Sequence, residues 1–150
     1  MEYDTSKFKG LEVSFGFTGI KLFDNTEIGD AQLGYSIHPS GESLTGSEEG
    51  DWKDFWLVIG HTTDCGDPIF VDISTKEMEV FTAIHGRGYW SPTSIAKSYS
   101  GFLAIMDKFA ELSIGREYPT RLDSNPMTQT EFDKFISFAS DAAEISDTLF

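Results

Sequence analysis

The stretch Gly66-Asp67-Pro68-Ile69-Phe70-Val71-Asp72, followed by Val80-Phe81-Thr82-Ala83-Ile84-His85-Gly86 and then Trp90, carries the fold of this chain. Ile69, Phe70, Val71 and Ile73 are β-branched or aromatic and residues 68–73 are bounded by turn residues, which reads as a strand. Pro68 stands at its first position, where no ladder donor is needed. Ser74-Thr75-Lys76 turns the chain, and Met78, Val80, Thr82 and Ile84 then alternate as a third strand. Upstream, Phe55-Trp56-Leu57-Val58-Ile59 is a nearly continuous apolar run, expected to be a central strand buried on both faces, and residues 61–66 read as a polar turn. Three sequential strands with short connections imply an antiparallel meander, because parallel pairs need a long crossover.

Outward from this centre, residues 9–23 read as a hairpin. Leu11, Val13, Phe15 and Phe17 alternate inward, Thr18-Gly19 supplies the turn, and Ile20 to Phe23 return. Residues 24–34 predict a short helix, capped by Asp24 or Asn25, with Glu27 in the first turn and Ile28 and Leu33 on its apolar face. Residues 35–37 predict another short extended piece. Residues 39–50 form a polar loop rich in Gly and Ser, expected to be mobile and to act as a spacer. After the meander, Ser91-Pro92 is a helix-start signal. Ile95, Tyr99, Phe102, Leu103, Met106, Phe109 and Leu112 then recur at helical spacing, and Gly115 is the expected stop. A polar connection over 116–127 leads to Thr128-Gln129-Thr130-Glu131, which matches a capping box. Phe132, Phe135, Ile136 and Ala139 form the apolar stripe of a last helix. Strands first and helices later predict a single α+β domain, a mainly antiparallel, curved sheet packed by helices. Its core is expected over about residues 9–114, with a C-terminal helical extension over 115–150.

The charge balance narrows the partners. The 150 residues hold 25 acidic and 11 basic side chains, a formal net charge of −14. Between Leu22 and Thr75 the one basic residue is Lys53, against Asp24, Glu27, Asp30, Glu42, Glu48, Glu49, Asp51, Asp54, Asp64, Asp67 and Asp72. Such a body repels nucleic acid and anionic membranes and attracts a basic protein. A solvated face that keeps the protein soluble is the plainer reading of the same run. No secretory leader and no membrane span is read in the sequence, so a cytoplasmic location is expected. A single cysteine, Cys65, excludes an intrachain disulfide framework.

Reactive residues are few. His61, Asp64, Cys65 and Asp67, with Asp72 or His85, could be assembled into a metal site, but two clear ligand pairs are missing and Asp64 and Asp67 can serve as turn caps. Cys65 with His61 or His85 could form a nucleophile and base, yet the neighbouring carboxylates oppose a thiolate. No phosphate-cradling loop is present. No metal, cofactor or catalytic residue is therefore expected. The loop His85-Gly86-Arg87-Gly88-Tyr89-Trp90 is of more interest. Its glycines permit sharp bends, Arg87 and Tyr89 are residue types that anchor partners, and Trp90 is expected to plug the core. The thirteen Phe leave room for an exposed apolar patch through which two copies could pair.

The order Gly66-Asp67-Pro68-Ile69-Phe70-Val71-Asp72, then Val80-x-Thr82-Ala83-x-His85-Gly86, then Trp90-x-Pro92, then Ile95-Ala96-x-Ser98-Tyr99-x-x-Phe102-Leu103 resembles the SUKH superfamily. Gly50-Asp51-Trp52 and residues 55–60 fit the same pattern, so the resemblance covers about residues 27–103. The chain departs from the pattern by opening on a strand, where typical members carry one or two helices with a Leu-Pro element. The family includes bacterial immunity proteins of toxin systems and a fungal regulator of cell-wall assembly. The resemblance implies a non-catalytic protein-binding role, with Gly66, Asp67, Pro68, Asp72, His85, Gly86 and Trp90 as the motif. Together with the charge, it leads to the expectation of an immunity protein that binds a basic toxin domain, possibly a nuclease. Glu48, Glu49, Asp51, Asp54, Arg87 and Tyr89 are the expected contacts. A regulatory scaffold is the alternative, and a Cys/His hydrolase the remote one.

Overall fold

The computed structural model describes residues 3–146. Positions 1, 2 and 147–150, including the end of the expected C-terminal extension, lie outside the described residues.

Six strands, β1 (Leu11–Phe15), β2 (Thr18–Leu22), β3 (Trp56–Thr62), β4 (Pro68–Asp72), β5 (Val80–Thr82) and β6 (Thr93–Ala96), lie side by side in chain order, every neighbour antiparallel. The sheet curls into a half-barrel within one α+β domain. Register shifts between Val58 and Gly60 and between Val80 and Phe81 help bend it, because a bulge kinks its strand and increases local twist. The helices are α1 (Ile28–Ala31), α2 (Tyr99–Ser113), α3 (Pro119–Ser124) and α4 (Gln129–Ala143).

Side chains alternate across β3 and β4 and build two cores. Leu57, Ile59, Ile69 and Val71 join Val13 and Leu22 beneath α2 and α4, which contribute Phe102, Ile105, Met106 and Phe135. Val58 and Phe70 point to the opposite face, where Trp52 and Ala83 complete a second, smaller core. The central strand is thus buried on both faces, as its continuous apolar run predicts.

Several local expectations are corrected. The first hairpin turns at Gly16-Phe17, two residues before Thr18-Gly19. Phe15 pairs with Thr18, and Gly16 adopts the positive φ of +61° that its turn position requires. Phe17, expected to point inward, is consequently 83 % exposed at the tip. The first helix is only one turn long, and Leu33 lies outside it and is exposed. Residues 35–36 form a turn, and Ile37 makes only isolated bridges, to Leu33 and Ser43. Met78 is not part of β5, because its φ of 54° breaks the extended run. The segment at Ser91-Pro92 does not start a helix. Residues 93–96 pair with β5 instead, and α2 begins after Ser98, whose hydroxyl accepts the Gly101 N–H at 3.0 Å. Ile95 and Ala96 sit in the core as strand residues, coincidentally in step with the helical spacing that follows.

Gly115, with φ +79°, follows the end of α2 as expected. The connection beyond it contains a further helix, α3, opened by Pro119. Arg116 ties these helices together. Its Nε donates to the Asn125 carbonyl at 2.8 Å and its Nη1 to the Leu112 carbonyl at 2.9 Å, while Nη2 pairs with Glu131 at 3.2 Å. Glu131 also closes the capping box with Thr128 at the start of α4. Ala139 and Ala143 of α4 are fully buried in the main core, so this helix packs with the sheet and α2.

Candidate protein-binding face

Trp52 organises the side of the sheet that α2 and α4 leave uncovered. It is 1 % exposed, and its ring meets Phe70 at 4.6 Å, Tyr35 at 5.1 Å, Trp90 at 5.2 Å and Trp56 at 5.3 Å between centroids. Its Nε1–H donates to the Trp56 carbonyl at 3.2 Å, so the one polar group of a buried indole is satisfied. Tyr35, Trp52 and Trp90 come from three different loops, and their tilted and edge-on ring contacts fix those loops relative to each other. Trp90 is half-buried and packs against this second core.

The polar loop over 39–50 is held at several points. Ser43 bridges Ile37, Thr45 bridges Trp52, and the Gly46 amide donates to the Trp52 carbonyl at 3.0 Å. At its end the Trp90 amide donates to the Gly50 carbonyl at 2.8 Å, and a Cβ placed on Gly50 would lie 3.2 Å from Cβ of Tyr89. This seam lays the acidic loop directly against the His85–Trp90 loop. Glu49 and Asp51 flank the seam in sequence, and Tyr89 stands on the other side of it, 52 % exposed.

The four acids differ in role. Glu48, Glu49 and Asp54 are exposed. Asp51 is half-buried and structural: its carboxylate accepts the Glu48 N–H at 3.0 Å and occupies the space that a side chain on Gly46 would need. Lys53, the one cation of this region, donates to the Glu48 carbonyl. Arg87 is exposed between Gly86 and Gly88, both at positive φ. Leu33, Ile37 and Leu44 are also exposed on this segment, at 48 %, 40 % and 43 %. Ile37 bridges both Leu33 and Ser43, and the Leu44 amide donates to the Ser36 carbonyl, so these three side chains belong to one folded-over loop.

The motif residues ahead of β4 are joined to the same face. Asp67 accepts the His85 amide at 3.1 Å and the His85 ring Nδ1–H at 2.6 Å on one oxygen, and the Cys65 thiol at 3.4 Å on the other. Partial burial pushes the Asp67 carboxyl up, but the hydrogen bonds from His85 and Cys65 outweigh it and hold it below the usual carboxylate range. Burial, with the nearby Asp67 charge, pushes the Tyr35 phenol up. Gly66 supplies a positive φ of 74° in the turn, and Asp72 accepts the Ser74 amide at 2.8 Å in the next.

The Cys65 thiol lies beside two carboxylates, Asp64 at 3.5 Å and Asp67 at 3.4 Å, and beside the Thr62 hydroxyl at 3.5 Å. The His61 Nδ1–H is directed to the Thr62 carbonyl at 2.9 Å, and that of His85 to Asp67. Among the described residues, no group of three or more His, Cys, Asp and Glu side chains is arranged to hold a metal ion.

Sequence reasoning missed Gln32 and the reach of Trp52. Gln32 is 4 % exposed, and its amide pairs with both backbone groups of Val58, donating to the carbonyl and accepting the N–H, each at 2.9 Å. It stands in for a neighbouring strand where β2 has already ended. An isolated Gln in a polar stretch carries no signal of this. Three large aromatics placed in otherwise polar loops (Tyr35, Trp52, Trp90) do signal a second core. Comparison with protein-family models, with curated proteins and with solved structures finds no match to this chain.

Proposed function

We propose that this protein is a non-catalytic binding module of the immunity type, which neutralises a basic toxin domain by covering it with the acidic face described above. The observation that carries this reading is the seam at Gly50, which joins the acid-rich loop to the loop of Arg87 and Tyr89 on one exposed surface. An exposed segment that carries both carboxylates and apolar side chains is suited to a cationic partner. The charges steer encounter, and Tyr89 with the apolar residues provides the desolvated anchor. The motif resemblance supports the same reading.

The test uses the full chain and the product of the adjacent reading frame. Glu48→Lys, Glu49→Lys and Asp54→Lys together should slow association at least about tenfold at low ionic strength and flatten its salt dependence. Asp51 is left intact because it shapes the loop. Undiminished protection against the toxin by the triple variant would refute the electrostatic reading.

A further inference from the structure

Four exposed apolar side chains stand around one buried arginine. The Arg116 carbonyl accepts the Gly16 N–H at 2.8 Å, which brings the tip of the first hairpin to the link between α2 and α3. A Leu122 methyl fills the space that a Cβ on Gly16 would need, so α3 closes against the same tip. The Arg116 guanidinium holds Glu131 at the start of α4. Phe17 lies at the tip, Ile114 and Tyr118 lie two residues to either side of Arg116, and Phe132 follows Glu131. Ile114 is 73 % exposed and Tyr118 47 %, and Phe132 is 45 % exposed rather than buried in the stripe of α4. At about 200 Å² per large side chain, these three and Phe17 leave roughly 500 Å² of apolar surface bare. That is more than the few hundred Å² a monomer ordinarily exposes in one patch.

Charge decides what can cover this surface. The chain carries a net −14, so two copies repel wherever their acidic segments meet. Around Arg116 the balance is close to neutral. Residues 13–20 hold no charged side chain, and residues 114–132 hold Arg116 and Arg121 against Glu117, Asp123 and Glu131. Arg116 is paired with Glu131 at 3.2 Å and Arg121 with Glu117 at 3.4 Å. The acidic surface begins only across β2, where the Thr63 amide donates to the Gly19 carbonyl and Asp64 follows. Leu33, Ile37 and Leu44, the exposed apolar group of the acidic segment, lie where a second copy would be repelled. A contact across a two-fold axis sets one patch against itself, so it needs an apolar centre and charges in balanced pairs. Glu117 and Arg121 supply such a pair, one helical turn apart, with the Arg121 guanidinium lying 4.8 Å from the Tyr118 ring centre. We propose that this face is a two-fold interface between two copies of this chain, separate from the acidic face and independent of what that face binds. Phe17 is its apolar centre, and Glu117 and Arg121 of each copy meet their opposites in the other. Two copies cover roughly 1,000 Å², the lower bound for a specific interface, so the dimer is weak and forms with rising concentration.

Sedimentation velocity on the full chain, from about 5 to about 500 μM, tests this. The species should shift from one chain to two with a Kd on the order of 10–100 μM. The dimer should tighten in about 1 M salt, where repulsion between the like-charged copies is screened. Phe17→Asp should raise the Kd at least about tenfold, because a carboxylate would be buried without a partner, and should leave the Tm of the dilute protein unchanged. Ile114→Asp serves the same purpose from the end of α2 should the first variant fail to fold. Leu44→Asp, in the acidic segment, should leave the Kd within about twofold. A single chain at every concentration would overturn the proposal. So would a dimer indifferent to both Phe17→Asp and Ile114→Asp, or one that Leu44→Asp dissociates in their place.

Discussion

Asp67 shows how one carboxylate can position a loop. It sits immediately before β4, yet it holds His85, eighteen residues later, through both backbone and ring. The anion is favoured by these donors, so its pKa in the folded protein lies below the unfolded value. The stabilisation is therefore complete above the ordinary carboxylate pKa of about 4 and is lost as pH falls through the lowered folded value. Asp67→Asn should lower unfolding free energy by about 1 kcal/mol at neutral pH, since charge-assisted hydrogen bonds exceed neutral ones by about that amount. The difference between native and variant should shrink in urea unfolding at pH 3, and a difference unchanged by pH would show that hydrogen-bond geometry, not charge, does the holding. Only half of this role is legible in sequence. An acid before a strand reads as a turn cap, and Asp64 does accept the Cys65 amide at 2.9 Å. The bond to His85 depends on the meander closing first, and no local pattern encodes it.

At the scale of elements, legibility follows the strength of local periodicity. The meander of β3, β4 and β5 and the capping box of α4 are readable because alternation, turn residues and caps agree there. β6 is not, because Ser91-Pro92 just ahead of it carries a helix-start signal and Ile95 happens to fall in step with the stripe of α2. The acidic segment reads as a mobile spacer because its anchors, Trp52 and Trp90, act across the fold. The start of α2 provides a direct test of the corrected boundary. Ser98→Ala removes the cap on the Gly101 N–H and should cost about 1 kcal/mol in urea unfolding, with the slope of the transition unchanged. Ser91→Ala should change stability by less than about 0.5 kcal/mol, as expected of a surface position with no cap to lose. Equal costs at the two sites would place the helix start back at Ser91-Pro92.

At the scale of the whole molecule, an excess of acids is a cost that the free protein bears. With 25 acidic and 11 basic side chains, the folded chain concentrates like charges that the unfolded chain would spread apart. Replacing Glu48, Glu49 and Asp54 by Lys adds two positive units at each position and moves the net charge from −14 to −8. None of these three side chains is buried, so the change acts mainly through the field. In 10 mM salt, where charges are felt across about 30 Å, the triple variant should melt about 2–4 °C above the native protein. In 1 M salt, with a screening length near 3 Å, the two should melt together. Equal melting temperatures at both salt concentrations would mean that these acids are too far from other charges to repel them, and the case for a converging acidic face would fall with that result. If the gap is seen, the same variant that associates more slowly with a basic partner is the more stable protein on its own. Its loss of binding then cannot be assigned to unfolding.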